Sequence, residues 1–96
     1  MSNEQPKLNV KVTDEKLAPL YTNHVQISHS PEEFVMEMFA IYQPQGVLLN
    51  RVVLSPSHAK RLLEALADNV KKYEDKYGTI KQMPIPFNLT ENPPKM

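Results

Sequence analysis

The sequence predicts a small α+β domain: a three-stranded antiparallel β-meander followed by one long amphipathic α-helix, with extended proline-rich tails. Three observations predict this fold. One alternating segment and two apolar, β-branched runs are separated by turn residues, and a later segment of about 22 residues repeats its apolar residues at helical spacing. Most of the nine prolines lie outside this central block. We therefore divide the chain into a flexible N-terminal arm (1–18), a ββ(β)α domain (19–79) and a Pro-rich C-terminal tail (80–96).

Length and composition exclude several classes of function. A single domain of 96 residues has a thin hydrophobic core. Its 11 basic and 11 acidic side chains cancel, so no net field attracts nucleic acid or an anionic membrane surface. The chain has no cysteine for disulfides or thiol chemistry, and no apolar run approaches the roughly 18 residues of a membrane span. Because the polar start does not resemble a signal peptide, we expect a soluble cytoplasmic protein.

The first strand is predicted between residues 21 and 28, where side chains alternate between two faces. One face of such a strand carries Tyr21, Asn23, Val25 and Ile27. The other face carries Thr22, His24, Gln26 and Ser28. This pattern is typical of a strand that is buried on one side. Leu8, Val10 and Val12 alternate in the same way, which leaves a short edge strand in the arm as an alternative.

The segment 34–42 fits two structures, and the choice decides the fold. Ser30, Pro31 and Glu33 form a sequence signature for the start of a helix. The residues that follow are apolar on nearly every side, however, and a chain this small cannot surround such a helix. A strand buried on both faces has the same pattern. We predict a strand at 34–42, a turn at 43–46 and a second strand at 47–54, with the helix as the alternative.

The last element is predicted as a helix that starts after Ser55 and ends at Gly78. Ser55 is placed as the N-cap and Pro56 at the first helical position. Asp68 and Lys72 form a supportive pair four residues apart on the polar side. At about 33 Å the helix is longer than the strands, so we expect it to pack on the sheet and overhang it at its C-terminal end. Its apolar stripe consists of Ala59, Leu62, Leu63, Leu66, Val70, Tyr73 and Tyr77.

Two motifs in this block, SPEEF and SPSHAKRLL, resemble those of a known family. The segments NHVQISHSPEEFVMEMF and RVVLSPSHAKRLLEALADNVKKYEDKYG are similar to short bacterial and archaeal proteins that form the 3467 family of domains of unknown function. The resemblance covers residues 21–78 and implies a strand at 34–39. Ala40 stands where many relatives have glycine. The resemblance implies no known activity or cofactor.

Few residues are candidates for catalysis or metal binding. The three histidines, His24, His29 and His58, lack the H-x-H and H-x-x-x-H spacings of metal sites. Ser55 or Ser57 beside His58 is the only local suggestion of a nucleophile, and Ser55 is already placed as the helix cap. We therefore expect a protein that is not an enzyme and binds no cofactor. A metal-dependent site formed by the three histidines across subunits is the second alternative.

Nucleic-acid binding is the first alternative, because the predicted helix has a lysine-bearing face. Its basic residues are Lys60, Arg61, Lys71, Lys72 and Lys76. Acidic residues interleave with them: Glu64, Asp68, Glu74 and Asp75. Mixed charge of this kind is typical of a solvated helix face, so we expect no binding to nucleic acid.

The two central strands carry more apolar surface than one helix covers. An uncovered face of this kind marks an interaction site, so we expect a homo-oligomer, with a dimer favoured. The expected oligomer interface consists of Val35, Phe39, Ile41, Val47, Leu49, Tyr73 and Tyr77. The alternative is that the N-terminal arm covers this face within one chain.

The C-terminal tail carries a second apolar pattern. Met83, Ile85, Phe87 and Leu89 alternate with Pro84 and Pro86, so an extended tail presents one apolar edge. We expect these four residues either to dock on the oligomer or on another protein, or to belong to a disordered tail. The sequence thus favours a non-catalytic protein-interaction or assembly module.

Overall fold

The computed structural model describes residues 5–89 and contains a three-stranded sheet followed by a long helix. The predicted α+β class is therefore confirmed. In chain order the described elements are α1 (Asp14–Leu17), β1 (His24–His29), β2 (Phe34–Tyr42), β3 (Gln45–Leu54) and α2 (Pro56–Tyr77). The predicted residues 1–4 of the arm and 90–96 of the tail lie outside the described range.

The sheet is an antiparallel meander in the order β1-β2-β3. Residues 34–42 form a strand, as predicted, and the signals for a helix start serve a turn instead. The backbone N–H of Ser30 donates to the carbonyl of Glu33 at 2.9 Å, and the Ser30 hydroxyl accepts from the N–H of Glu32 at 3.3 Å. Serine favours such local bonds at both helix caps and turns, so the motif alone does not distinguish the two structures.

β2 and β3 are joined by a two-residue loop, Gln43–Pro44, which is shorter than the predicted turn. Gly46 therefore belongs to β3, where it pairs with Ile41. A Cβ atom at position 46 would lie 2.8 Å from Cδ1 of Ile41, so glycine leaves room for that side chain.

The helix α2 begins and ends at the predicted residues. The Ser55 hydroxyl accepts from the backbone N–H of His58 at 3.1 Å, and Pro56 is the first helical residue. Gly78 follows the last helical residue with a φ of 101°, a conformation that favours glycine. The predicted pair of Lys72 with Asp68 has an N–O distance of 3.0 Å.

The expectation that α2 packs on the sheet holds only for its first turns, and the expected overhang of its C-terminal end is longer than the sequence indicates. No residue of α2 is buried, and Leu63 and Leu66 are 66% and 60% exposed. Only Ser55 separates the last strand residue, Leu54, from the first helical residue. A connection of one residue does not allow the chain to turn back across the sheet, since connections of this type commonly need two to six residues. Only the first turns of α2 therefore lie beside the sheet.

The N-terminal arm does not cover the sheet either. Leu8 and Val10 are each 81% exposed, and residues 5–20 are all exposed. The described part of the arm contains only the single helical turn α1 and no strand. The alternatives of an edge strand and of coverage by the arm are therefore wrong for the described residues. In the described range only Phe39 and Leu54 are buried apolar residues.

Candidate interaction surfaces

The strand register defines two faces of the sheet. Directly paired residues place their side chains on the same side, so the pairs His24 with Phe39 and Ile27 with Met36 mark opposite faces. We call the first side the tail face; it carries His24, Gln26, Ser28, Val35, Glu37, Phe39, Ile41, Leu48, Arg51 and Val53. We call the second side the helix face; it carries Val25, Ile27, His29, Phe34, Met36, Met38, Ala40, Val47, Asn50, Val52 and Leu54.

The tail face is partly covered by the chain's own C-terminal segment. The ring of Phe87 meets the ring of His24 edge-on, with centroids 5.0 Å apart, and His24 lies 5.8 Å from the ring of Phe39. The side-chain amide of Gln43 donates to the carbonyl of Pro86 at 2.9 Å. These contacts place Phe87 over the sheet and leave Phe39 only 6% exposed.

The tail face also carries charge. Arg51 donates through both Nε and Nη2 to Oε2 of Glu37, each at 2.9 Å. The Glu37 side chain is largely out of water, and this ion pair compensates for that burial. This face mixes polar and apolar side chains and is already partly covered, so it offers less continuous apolar area to a partner.

The helix face, by contrast, is mostly apolar and partly open to solvent. In β1 the apolar residue Ile27 is 63% exposed, whereas the polar residues His24 and Gln26 are half-buried. Between this face and the first turns of α2 lies a groove of about 610 Å³. The groove is lined by Ile27, Phe34, Met36, Leu54, Pro56, Ala59, Lys60, Leu62, Leu63 and Leu66. Lys60 is the only charged residue among them.

The apolar stripe of α2 continues beyond the groove into solvent. Tyr73 and Tyr77 are half or more exposed, with ring centroids 5.0 Å apart, and Val70 lies between them and the groove. The groove and the stripe form one continuous apolar surface, since they share Ala59, Leu62, Leu63 and Leu66. An exposed surface of this kind is typical of an interaction site.

The predicted interface residues do not form one surface. Val35, Phe39 and Ile41 lie on the tail face, whereas Val47 pairs with Ala40 and lies on the helix face. The cause is a register shift between Met38 and Phe39, which changes the side to which the first residues of β3 project. The remaining members lie elsewhere: Leu49 at this irregularity, and Tyr73 and Tyr77 on the exposed stripe of α2.

The predicted docking residues of the tail also differ in their surroundings. Phe87 contacts the sheet, whereas Met83 and Ile85 are 73% and 64% exposed. Leu89 is also exposed. The four residues therefore do not act as one apolar edge within this chain.

The histidines and basic residues form no compact site in residues 5–89. His24 lies on the tail face, while His29 stacks on Phe34 at 5.5 Å on the helix face. No group of three or more His, Cys, Asp or Glu side chains lies close enough to hold a metal ion in that range. No described helix has the length and apolar character needed to cross a bilayer.

Three polar residues act in ways that sequence reasoning missed. Asn23 continues the β1–β2 ladder with its side chain, since its amide donates to the carbonyl of Ile41 and accepts from the N–H of Ile41. Gln43 holds the tail at Pro86, and the Glu74 carboxylate accepts from the N–H of Ile80 just after the helix. Only Asn23, within the predicted strand 21–28, carried a signal, because asparagine readily imitates backbone hydrogen bonding.

The fold and these surfaces define a small α+β domain whose distinctive features are apolar contact surfaces. The model of the family described as "Protein of unknown function (DUF3467)" matches residues 1–82, and the chain belongs to this family. The match confirms the resemblance of the SPEEF and SPSHAKRLL motifs. No curated protein and no solved structure matches the chain.

Proposed function

We propose that the protein is a non-catalytic assembly module that acts as a homodimer and presents further surface to another protein. One observation carries the proposal: the helix-face groove and the exposed stripe of α2 form a continuous apolar surface that residues 5–89 leave largely open to solvent. Burial of apolar area is the main driving force for protein association, so a second copy of the chain stabilises this surface.

The charges of α2 favour a protein partner over nucleic acid. Lys71 and Lys72 form ion pairs with Asp75 and Asp68, each at 3.0 Å, so the lysine-bearing face is mixed rather than basic. A surface that binds phosphates needs several cations free of such partners.

The C-terminal tail supports a second contact. Met83 and Ile85 are apolar and exposed, and they directly precede the segment that Phe87 fixes to the sheet. We propose that these two residues meet another protein while Phe87 holds the tail in place. Prolines on both sides of Ile85 restrict this segment, which lowers the entropy lost on binding.

The solution mass of the full chain tests the dimer. Light scattering at several concentrations is the suitable measurement, because the elongated chain, with a longest dimension of 57 Å, distorts size estimates from gel filtration. We expect twice the chain mass of 11.0 kDa. A monomer at every concentration up to about 100 μM contradicts the proposal, since it implies a free energy of association weaker than about −5.5 kcal/mol.

A further inference from the structure

We propose that the groove on the helix face receives the C-terminal half of α2 from a second copy of the chain. The exchange is reciprocal, with the two helices antiparallel and a two-fold axis near Leu66. This inference rests on the proposed self-association, and it adds which surfaces meet and in which orientation.

The apolar stripe of α2 has the self-complementarity that a two-fold axis requires. An axis at Leu66 places residue i of one helix opposite residue 132 − i of its partner. Ala59 then faces Tyr73 of the second copy, and Leu62 faces Val70. A small residue opposite a large one is favourable in close helix packing, and this favours the pair Ala59–Tyr73.

The groove supplies the other wall of this interface. Its helical side is the N-terminal half of α2, and its sheet side includes Ile27 and Met36. An incoming helical half that carries Val70, Tyr73 and Tyr77 therefore packs against sheet and helix together. The same step covers the exposed residues of β1, whose apolar side faces solvent in the single chain.

The two ion pairs of α2 lie away from the proposed contact. Successive side chains are rotated by about 100°, which places the ion pairs Lys71–Asp75 and Lys72–Asp68 on the side opposite the stripe. Association on the stripe thus removes none of these four charges from water. Of the groove residues only Lys60 is charged, and its long side chain can keep its ammonium at the rim.

Other occupants leave part of this surface exposed. A small apolar ligand fills a groove of about 610 Å³ but does not reach Tyr73 or Tyr77, which do not line it. The arm of a second copy exposes Leu8 and Val10. The arm and the stripe are different segments, so an arm bound to the stripe would lack the symmetry by which the stripe pairs with itself. A second α2 covers both regions at once, and we therefore favour it.

Distances between spin labels on the full chain test the orientation directly. The chain contains no cysteine, so single replacements at Ala67, Ser57 and Lys76 give one label site each. In the proposed dimer the two labels at position 67 lie within about 15 Å of each other, and those at 57 or 76 lie about 30 Å apart. A parallel helix pair would bring all three label pairs within about 15 Å.

Two leucine substitutions test the contact independently. Leu66→Lys places two ammonium groups on the axis, and we expect the dimer dissociation constant to rise by at least about 100-fold. Leu8→Lys makes the same chemical change at a residue that is 81% exposed in the arm, and we expect less than about a threefold change. Circular dichroism of both variants shows whether either one has lost its fold.

Each outcome bears on one proposal or on both. A dimer with a short distance at 67 and long distances at 57 and 76 supports the inference. A dimer with a long distance at 67, or one weakened by Leu8→Lys but not by Leu66→Lys, overturns the inference and leaves self-association intact. A full chain that is monomeric at every concentration overturns both. If Leu66→Lys does not fold, the label distances decide alone.

Discussion

Replacement of Phe87 by alanine measures how strongly the tail stabilises the sheet. The Phe87 ring is largely out of water and meets His24 at 5.0 Å. Burial of a phenylalanine contributes about 1.5–3 kcal/mol, and an edge-to-face aromatic contact about 0.5–1.5 kcal/mol more. Ordering the tail offsets part of this gain, at about 1 kcal/mol or more per fixed residue. We expect Phe87→Ala to lower the free energy of unfolding by about 1–2 kcal/mol.

Urea denaturation followed by circular dichroism, at one fixed protein concentration, measures this change. Ile85→Ala is the matched control, because Ile85 lies two residues earlier in the same tail and is 64% exposed. We expect the control to change the free energy of unfolding by less than about 0.5 kcal/mol. The ring protons of His24 give a second readout by NMR, since their resonances move when the Phe87 ring is removed. His29, on the other face against Phe34, should be unaffected.

Two results would refute this reasoning. If both alanine variants unfold at the same urea concentration and the His24 resonances do not move, the tail does not dock on the sheet. If Phe87→Ala is destabilising while His24 is unchanged, the docking site of Phe87 lies elsewhere.

Four further predictions concern stability, each measured by urea or thermal unfolding. Asn23→Ala should lower the free energy of unfolding by about 1–2 kcal/mol, because both main-chain groups of Ile41 lose their partner; no effect would show that the side-chain ladder is not formed. Ser55→Ala should lower it by about 1 kcal/mol through loss of the helix cap. Gly78→Ala should lower the free energy of unfolding by about 1 kcal/mol or more, because alanine is strained at a positive φ. Gly46→Ala should have a smaller effect, since the only atom close to the new Cβ is the flexible end of the Ile41 side chain. A larger effect at Gly46 than at Gly78 would contradict this explanation. The melting temperature should rise with protein concentration, and a constant value would argue against a dimer coupled to folding.

The elements that sequence patterns predict well are those specified by neighbouring residues. The bounds of β2 agree with the prediction because its apolar run lies between a Ser-Pro turn and a Gln-Pro loop. The bounds of α2 agree because Ser55 and Gly78 act through contacts with residues three or four positions away. Such local interactions are fully contained in the sequence pattern.

The features that the sequence did not reveal depend on contacts between distant segments. The register shift beside Phe39 moves the side chain of Val47 to the other face of the sheet. No residue type at that position indicates the shift. β1 spans His24–His29, although the alternating pattern extends back to Tyr21. The strand is shorter because the side chain of Asn23 forms the hydrogen bond to Ile41 that a strand residue would form with its main chain. The direction of α2 is set by its connection to β3, which is a single residue. The apolar pattern of the helix predicts which side is buried but not the direction in which the helix leaves the sheet.

The direction of α2 would link the folding of this protein to the association that we propose. A helix of 22 residues with its apolar stripe in water is marginally stable, because tertiary packing supplies most helical stability in proteins. The single chain provides that packing only around Ala59 and Leu62, which are half-buried, and not at Leu66 or Tyr77. In the proposed dimer, a partner helix on the exposed half contributes the burial that a larger domain finds in its own core. On this reasoning the stripe of α2 is core and interface at once, and substitutions along it should weaken folding and association together.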